Sequence, residues 1–425
     1  MSLNPKQIAI LLGGLVVVII LVVLIATNLR SSTRPQPVAL SVWGAVDDQK
    51  LFEETVAGYR AAHPNVEIKY QKLDPARYRE TVVNALAAGQ GPDVLMIGNR
   101  ALPREKNKLI PVPPTAFSLA RLRELFPTVV EQDFADRDGQ IYALPQSLDT
   151  LALLYNRDQF DAAGIVSPPV TWDEFQKDVT LLRKVNPQGQ LVARGAALGA
   201  TDRTVSRGSD LLALLMLQSG SGLADPATGA ANFSSTGALS AFAFYLQFAN
   251  PASPVYTWSD AETPALESFA AKNVAMVFGY KSDADAIRAR SPFLNFAVAP
   301  VPQRAGSDAP VGVANYWGYA VSKQSKAPAA AWDVVIYFAT DPTAAANYVN
   351  ASLAPPALRS LIRQTLQDLS LGVFSRQALT ARSWYEADDD KIREILNAAI
   401  DRVLKGQRGP ADALREAQDQ INQLR

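Results

Sequence analysis

The sequence predicts an α/β protein built on parallel sheet, carried behind a single N-terminal apolar helix. Three observations carry that reading: a β-α-β-α-β order over residues 39–97, a purely helical C-terminal end, and a twenty-residue charge-free run at 8–27. The apolar run reads IAILLGGLVVVIILVVLIAT. At about 1.5 Å per residue, a helix of this length spans about 30 Å, the thickness of a bilayer core. Its length exceeds the apolar region of a cleavable signal peptide, and Ala26-Thr27-Asn28 makes a poor cleavage site, so a retained transmembrane anchor is expected. Lys6 lies on one flank and Arg30 and Arg34 on the other, so flanking charge leaves the orientation open. Residues 1–7 are expected to form a short cytoplasmic N-terminus and 28–37 (NLRSSTRPQP) a polar, proline-bearing linker.

The first strand is ALSVW at 39–43, followed by Asp47-Asp48 as cap for a helix whose inner face is Leu51, Phe52, Val56 and Tyr59. VEIKY at 66–70 alternates apolar and polar residues as a half-buried strand does. Asp74-Pro75 reads as the start of a second helix running to Gly89 through Tyr78, Val82, Ala85 and Leu86. DVLMI at 93–97 is then a buried strand. Ligands of open α/β sheets bind beyond the carboxyl ends of the strands, which points to Trp43–Asp48 and Gly98–Arg100 as binding loops. At the far end, Ile392, Ile395, Leu396, Ala399, Ile400, Val403 and Leu404 follow helical spacing. Gly409-Pro410 separates that helix from one bearing Leu414, Ala417, Ile421 and Leu424.

Composition narrows the function. Lys+Arg and Asp+Glu are both 41 among 425 residues, a balance that argues against nucleic acid as a partner. There is no cysteine, so disulfides, thiolate metal sites and cysteine nucleophiles are excluded. His63 is the only histidine, leaving little for a Ser-His-Asp triad or a histidine metal site. No cofactor and no metal site is expected. A chain of this length exceeds what one core usually holds, so two or three domains are expected.

Five local patterns then occur in order: HPNVEIKY at 63–70, AAGQGPDVLMI at 87–97, DGQIYALPQSLDTLALLYNRDQFDAAGIVSPPVTWDEF at 138–175, ESFAAKNVAMVFGY at 267–280, and KQSKAPAAAWDVVIYF at 323–338. Together they resemble the family 1 extracellular solute-binding proteins of ABC transporters, the maltose-binding-protein-like group, over about residues 39–425. The resemblance implies a two-lobed periplasmic-binding-protein fold (type II-like) with a hinge, closing on its ligand. It implies chain passages near Gln146–Thr150, Ala314–Trp317 and Leu353–Pro356, giving lobe one as 38–146 plus 315–355 and lobe two as 147–314 plus 356–425. It further implies no enzymatic activity, a carbohydrate as solute, ABC permease subunits as partners, and an extracytoplasmic body tethered to the cell membrane. A surface glycan-processing enzyme and a ligand sensor without a transporter are the alternatives. The enzyme would need two carboxylates facing each other across a cleft, and the sequence identifies no partner for Asp149.

Carbohydrate clefts need flat aromatic faces and carboxylates or amides for hydroxyls. Trp43 stands at the sheet mouth. Asp47 matches a ligand-contacting acid of the family, with capping of the next helix as its alternative. Asp149 matches an acidic cleft residue before the L-Y-N motif; Tyr155, inside the motif, reads as structural. Tyr280 and Lys281 follow the glycine of AMVFG, where the family places an aromatic platform, and Trp384-Tyr385 resembles an aromatic pair turned toward the cleft. Trp258 and Trp317 are lesser candidates, and Trp172 and Trp332 read as core. Where the group offers an aromatic and an acid after PDV, this chain has Ile97-Gly98-Asn99-Arg100. Arg100 with Lys281 opposite would suit an anionic or modified ligand; the other reading of Arg100 is a solvated surface arginine. Asp388-Asp389-Asp390 resembles a metal cluster, or more simply caps the helix that follows.

Overall fold

A computed structural model describes residues 4, 13–20, 37–188, 190–225 and 228–425. Residues 13–20 are helical and exposed, while the remainder of the apolar run at 8–27 lies outside the described residues. No helix among the described residues is long and apolar enough to cross a membrane.

The first sheet runs in the order Val66–Lys72, Val38–Gly44, Val94–Gly98, Trp317–Ser322, Leu109–Ile110, with Leu144–Pro145 also paired to Trp317–Ser322. The three strands expected from sequence pair in parallel, Val38–Gly44 in the middle; Trp317–Ser322 returns antiparallel from far along the chain. Val66–Lys72 buries alternate residues, as its pattern requires, whereas Val94–Ile97 is buried throughout. Helix Gln49–Ala62 starts on Asp48, whose carboxylate accepts from the Leu51 amide at 2.8 Å. The second helix begins later than expected, at Tyr78. Asp74 instead closes a turn by accepting from the Ala76 amide at 3.0 Å, a competing local bond that acidic side chains commonly make.

The second sheet runs Phe296–Ala299, Ala152–Asn156, Val274–Gly279, Leu191–Ala196, Lys184–Val185. Helix Trp172–Leu182 packs on it from a capping box in which Thr171 and Glu174 satisfy each other's backbone amides. Helix Gly208–Gln218 is apolar on nearly every face and is buried from Gly208 to Met216, while Thr236–Leu246 buries Ala238, Ala241, Phe242, Tyr245 and Leu246 and exposes Ser240 and Ala243. The C-terminal helices Asp389–Leu404 and Pro410–Asn422 place Ile392, Leu396, Ile400, Leu414 and Ile421 in the same core.

Two separate apolar cores result, one around each sheet. Between them lies a three-stranded sheet ordered Ala381–Arg382, Gly312–Asn315, Asp149–Thr150. Leu358, Leu361, Ile362 and Ala378 pack into the first core, so the chain stays with that core past Leu353–Pro356 and leaves it at the short strand Ala381–Arg382. Residues 353–356 lie instead beside the first passage, with the Leu148 amide donating to the Pro355 carbonyl at 2.9 Å.

A charged cleft between the two lobes

Beside the linking sheet the two cores leave a cleft of about 1080 Å³. Its first wall comes from residues 99–106 and 128–138, its second from Leu217, residues 222–225 and Thr228, with Arg425 also lining it, and Ser383–Glu386 line it directly after the Ala381–Arg382 strand. Of the residues singled out from sequence, Arg100, Trp384 and Tyr385 line this cleft.

Arg100 follows the buried strand Val94–Gly98, so the strand end aims its side chain at the opposite lobe. There its guanidinium pairs with Asp210 at 2.9 Å and Glu386 at 3.5 Å. With 26% of its side chain exposed, it is a paired cleft residue and not a solvated surface arginine. Asp210 is the acid in the first turn of the buried helix Gly208–Gln218 and also accepts from the Tyr280 hydroxyl at 2.8 Å. Burial alone would raise its carboxyl, but Arg100 beside it holds it below the ordinary carboxylate range. Glu386, 4% exposed, has among the described residues only the longer contact to Arg100; burial pushes it up to about 8, with Asp389, Asp210 and Asp133 adding repulsion. Asp133 accepts from the Tyr316 hydroxyl at 2.7 Å and the Asn99 amide at 3.1 Å, yet burial still raises it to about 6.

Two aromatic side chains complete the cleft. Trp384 is half-buried, packed on the second core and edge-on to Phe233 with ring centres 5.7 Å apart. Tyr385 is exposed, with the Arg137 guanidinium 5.6 Å from its ring centre. Such an array offers hydrogen-bonding charges on one side and flat apolar faces on the other.

The other five residues singled out from sequence do not line this cleft. Trp43 is half-buried against the first core and its carbonyl accepts from Tyr78. Asp47 is buried and bound by two tyrosine hydroxyls, Tyr319 at 2.8 Å and Tyr348 at 2.9 Å; the neighbouring Asp48 takes the capping role. Asp149 accepts from the amides of Lys281 at 3.0 Å and Ser282 at 3.3 Å, capping the helix Lys281–Arg290, and burial pushes its carboxyl up to about 7. Tyr280 is buried behind Asp210, with Arg207 over its ring at 4.9 Å. Lys281 is buried and paired with Asp285, so it does not face Arg100 across the cleft. Trp258, Trp172 and Trp332 are all buried.

Sequence reasoning passed over Asp133, Asp210 and Glu386. Asp210 carried a signal, a lone acid opening the apolar run LLALLML, and Glu386 adjoins the aromatic pair. The Asp388-Asp389-Asp390 run does what its simpler reading required: Asp388 caps helix Asp389–Leu404, accepting from the Lys391 amide at 3.2 Å. The three acids also converge on the Arg104 guanidinium at 2.8, 2.7 and 3.1 Å, an ion-pair cluster that joins the lobes, although the buried Oδ1 of Asp389 meets Arg104 without a hydrogen bond.

Comparison with known proteins agrees with this architecture. Three binding proteins, two from Brucella abortus strains and one from Brucella suis, are 28% identical over 138 residues, covering 31% of this chain and 32% of each relative. The aligned part is thus about a third of those relatives' length. Among solved structures, the sugar-binding protein MalE of Xanthomonas citri superposes with a TM-score of 0.76 at 20% identity, over 91% of this chain and 97% of that one. A solute-binding protein of Thermotoga lettingae, bound with α-D-tagatose, gives 0.71 at 21%, over 91% and 99%. A cyclo/maltodextrin-binding protein complexed with maltotetraose gives 0.73 at 19%, over 92% and 98%. At these identities the superpositions establish the shared two-lobed fold. The family of bacterial extracellular solute-binding proteins matches residues 44–345, and this chain belongs to it, a binding protein rather than an enzyme.

Proposed function

We propose that this protein captures a carbohydrate in the cleft between its lobes and delivers it to the permease of an ABC importer, its body held at the extracytoplasmic face of the cell membrane by the apolar segment at 8–27. The observation that carries the reading is the cleft itself: about 1080 Å³ between two cores, with Trp384 and Tyr385 beside Asp133, Arg100 and Glu386. Aromatic faces pack on the C–H surfaces of a sugar ring while buried charges bind its hydroxyls. The sugars named for the superposed Thermotoga lettingae protein and the cyclo/maltodextrin-binding protein support the same class. Membrane attachment rests on the length and charge-free character of the run at 8–27.

Titration calorimetry against a panel of mono- and oligosaccharides tests the proposal. A saturable heat without turnover supports it, and Trp384→Ala should weaken that binding about fivefold or more. Because Trp384 also packs on Phe233 and the second core, the same variant should melt lower as well, so affinity and stability are not separable at this position. Absence of any sugar binding refutes the carbohydrate assignment.

A further inference from the structure

On the wall of the cleft one guanidinium, that of Arg100, pairs with two carboxyls, and a third carboxyl stands near enough to feel its charge. Arg100 faces Asp210 at 2.9 Å and Glu386 at 3.5 Å, and Asp133 stands on the adjoining wall, bound by the neutral donors Asn99 and Tyr316. Of the other cations lining the cleft, Lys106 is taken by Asp136 at 2.6 Å, Arg137 lies over the Tyr385 ring, and Arg425 completes the set. Lys281, which would have balanced the site, is buried against Asp285 outside the cleft. Around Glu386 the charged groups are Arg100, Asp210, Asp133 and Asp389, and Asp389 is itself held by Arg104.

From this geometry we infer that the solute is a cation, an amino sugar whose ammonium group seats against Glu386 and Asp133 while its ring lies on Trp384 and Tyr385. Arg100 is the cation paired directly with this cluster, since Arg207, which also acts on Asp210, is paired with Asp283, and each acid is at most lightly exposed: Asp133 at 5%, Asp210 at 7% and Glu386 at 4%. Two buried negative charges would therefore stand uncompensated were all three ionised, a state that low-permittivity surroundings strongly disfavour. Burial accordingly raises Glu386 to about 8 and Asp133 to about 6, which favours the protonated carboxyl unless a cation stands beside it. An ammonium supplies the missing charge and displaces those protons. An anionic solute, by contrast, would meet these acids, with Arg100 already committed to Asp210. The inference rests on the carbohydrate reading for the ring and on the cleft charges for the ammonium.

The test is calorimetry on the full chain in a zwitterionic detergent without sugar headgroups, using four probes: glucosamine and its oligomers, their N-acetylated forms, the matching neutral gluco-oligosaccharides, and spermidine. Amino sugars should bind at least tenfold more tightly than their acetylated and neutral counterparts, the range expected for a hydrogen bond to a buried charge. Their binding should release protons and tighten between pH 5.5 and 7.5, because the ammonium needs ionised carboxylates. Glu386→Gln with Asp133→Asn should reduce the preference to threefold or less. Neutral sugars binding as well as amino sugars would overturn the inference while leaving the carbohydrate reading intact. Spermidine binding without any sugar would keep the cationic class and overturn the carbohydrate. No binding by any probe would overturn both.

Discussion

Asp47 separates a family resemblance from what this chain does with the residue. The resemblance makes it a ligand-contacting acid, yet it is 4% exposed and faces inward. Its two carboxylate oxygens accept from Tyr319 at 2.8 Å and Tyr348 at 2.9 Å, and its carbonyl accepts from Tyr70 at 2.7 Å. It thereby ties strand Trp317–Ser322, helix Pro342–Ser352 and strand Val66–Lys72 into one corner of the first lobe. Asp47→Ala leaves two buried tyrosine hydroxyls without their acceptor. Hydrogen bonds to a charged group are worth about 1.5–3 kcal/mol each, so the gross loss is about 3–6 kcal/mol. Part is returned, because burial already penalises this carboxylate, raising it above the ordinary aspartate value. A net loss of about 2–4 kcal/mol is expected, a fall of roughly 4–16 °C in the melting temperature of a lobe-sized unit. Asp47→Asn retains an acceptor for one tyrosine and offers a donor to the other, and should cost about 1 kcal/mol. Solute affinity should stay within twofold in both. Differential scanning fluorimetry paired with calorimetry reads both quantities. Should Asp47→Ala melt within about 1 °C of the parent and fail to bind, the carboxylate faces solute and the structural assignment is wrong.

Arg100→Ala leaves Asp210 and Glu386 without their cation and should cost about 3–5 kcal/mol at pH 8, less at pH 5.5, where burial no longer opposed by Arg100 lets these carboxyls take up protons; denaturant unfolding at the two pH values checks this. The parent chain should itself lose stability from pH 5 to 8, since Glu386 keeps a proton up to about 8 that the unfolded chain gives up near the ordinary glutamate value of about 4.3. Glu386→Gln should flatten that slope, and an unchanged slope would place Glu386 in solvent. Trp332→Ala should lower stability by about 3–5 kcal/mol without touching affinity, because Trp332 is buried in the first core and its indole N–H has no hydrogen-bond partner to lose.

Local pattern was enough for the elements of this protein and for its family. The strand at 66–72 alternates apolar and polar residues along its buried half, the helix over 389–404 keeps an apolar stripe, and T-W-D-E carries its own capping box, so each could be read from a few neighbouring residues. The aromatic pair Trp384-Tyr385 and Arg100 were legible for the same reason, standing at motif positions that bear on the cleft. Which carboxyls meet Arg100 was not legible, because Asp210 and Glu386 are more than a hundred residues away from it along the chain and meet only when the lobes pack. Nor was the sign of the cleft: the motif position of Lys281 points to the cleft, but its side chain folds along its own helix to Asp285, one turn on. Asp47 and Asp149 match family cleft acids in sequence, and tertiary packing spends them on two tyrosines and a helix N-terminus. A motif records which residue sits at a strand end; only the packed structure decides whether its charge meets solute, another side chain or a backbone amide, since that depends on what the distant chain brings within about 3 Å.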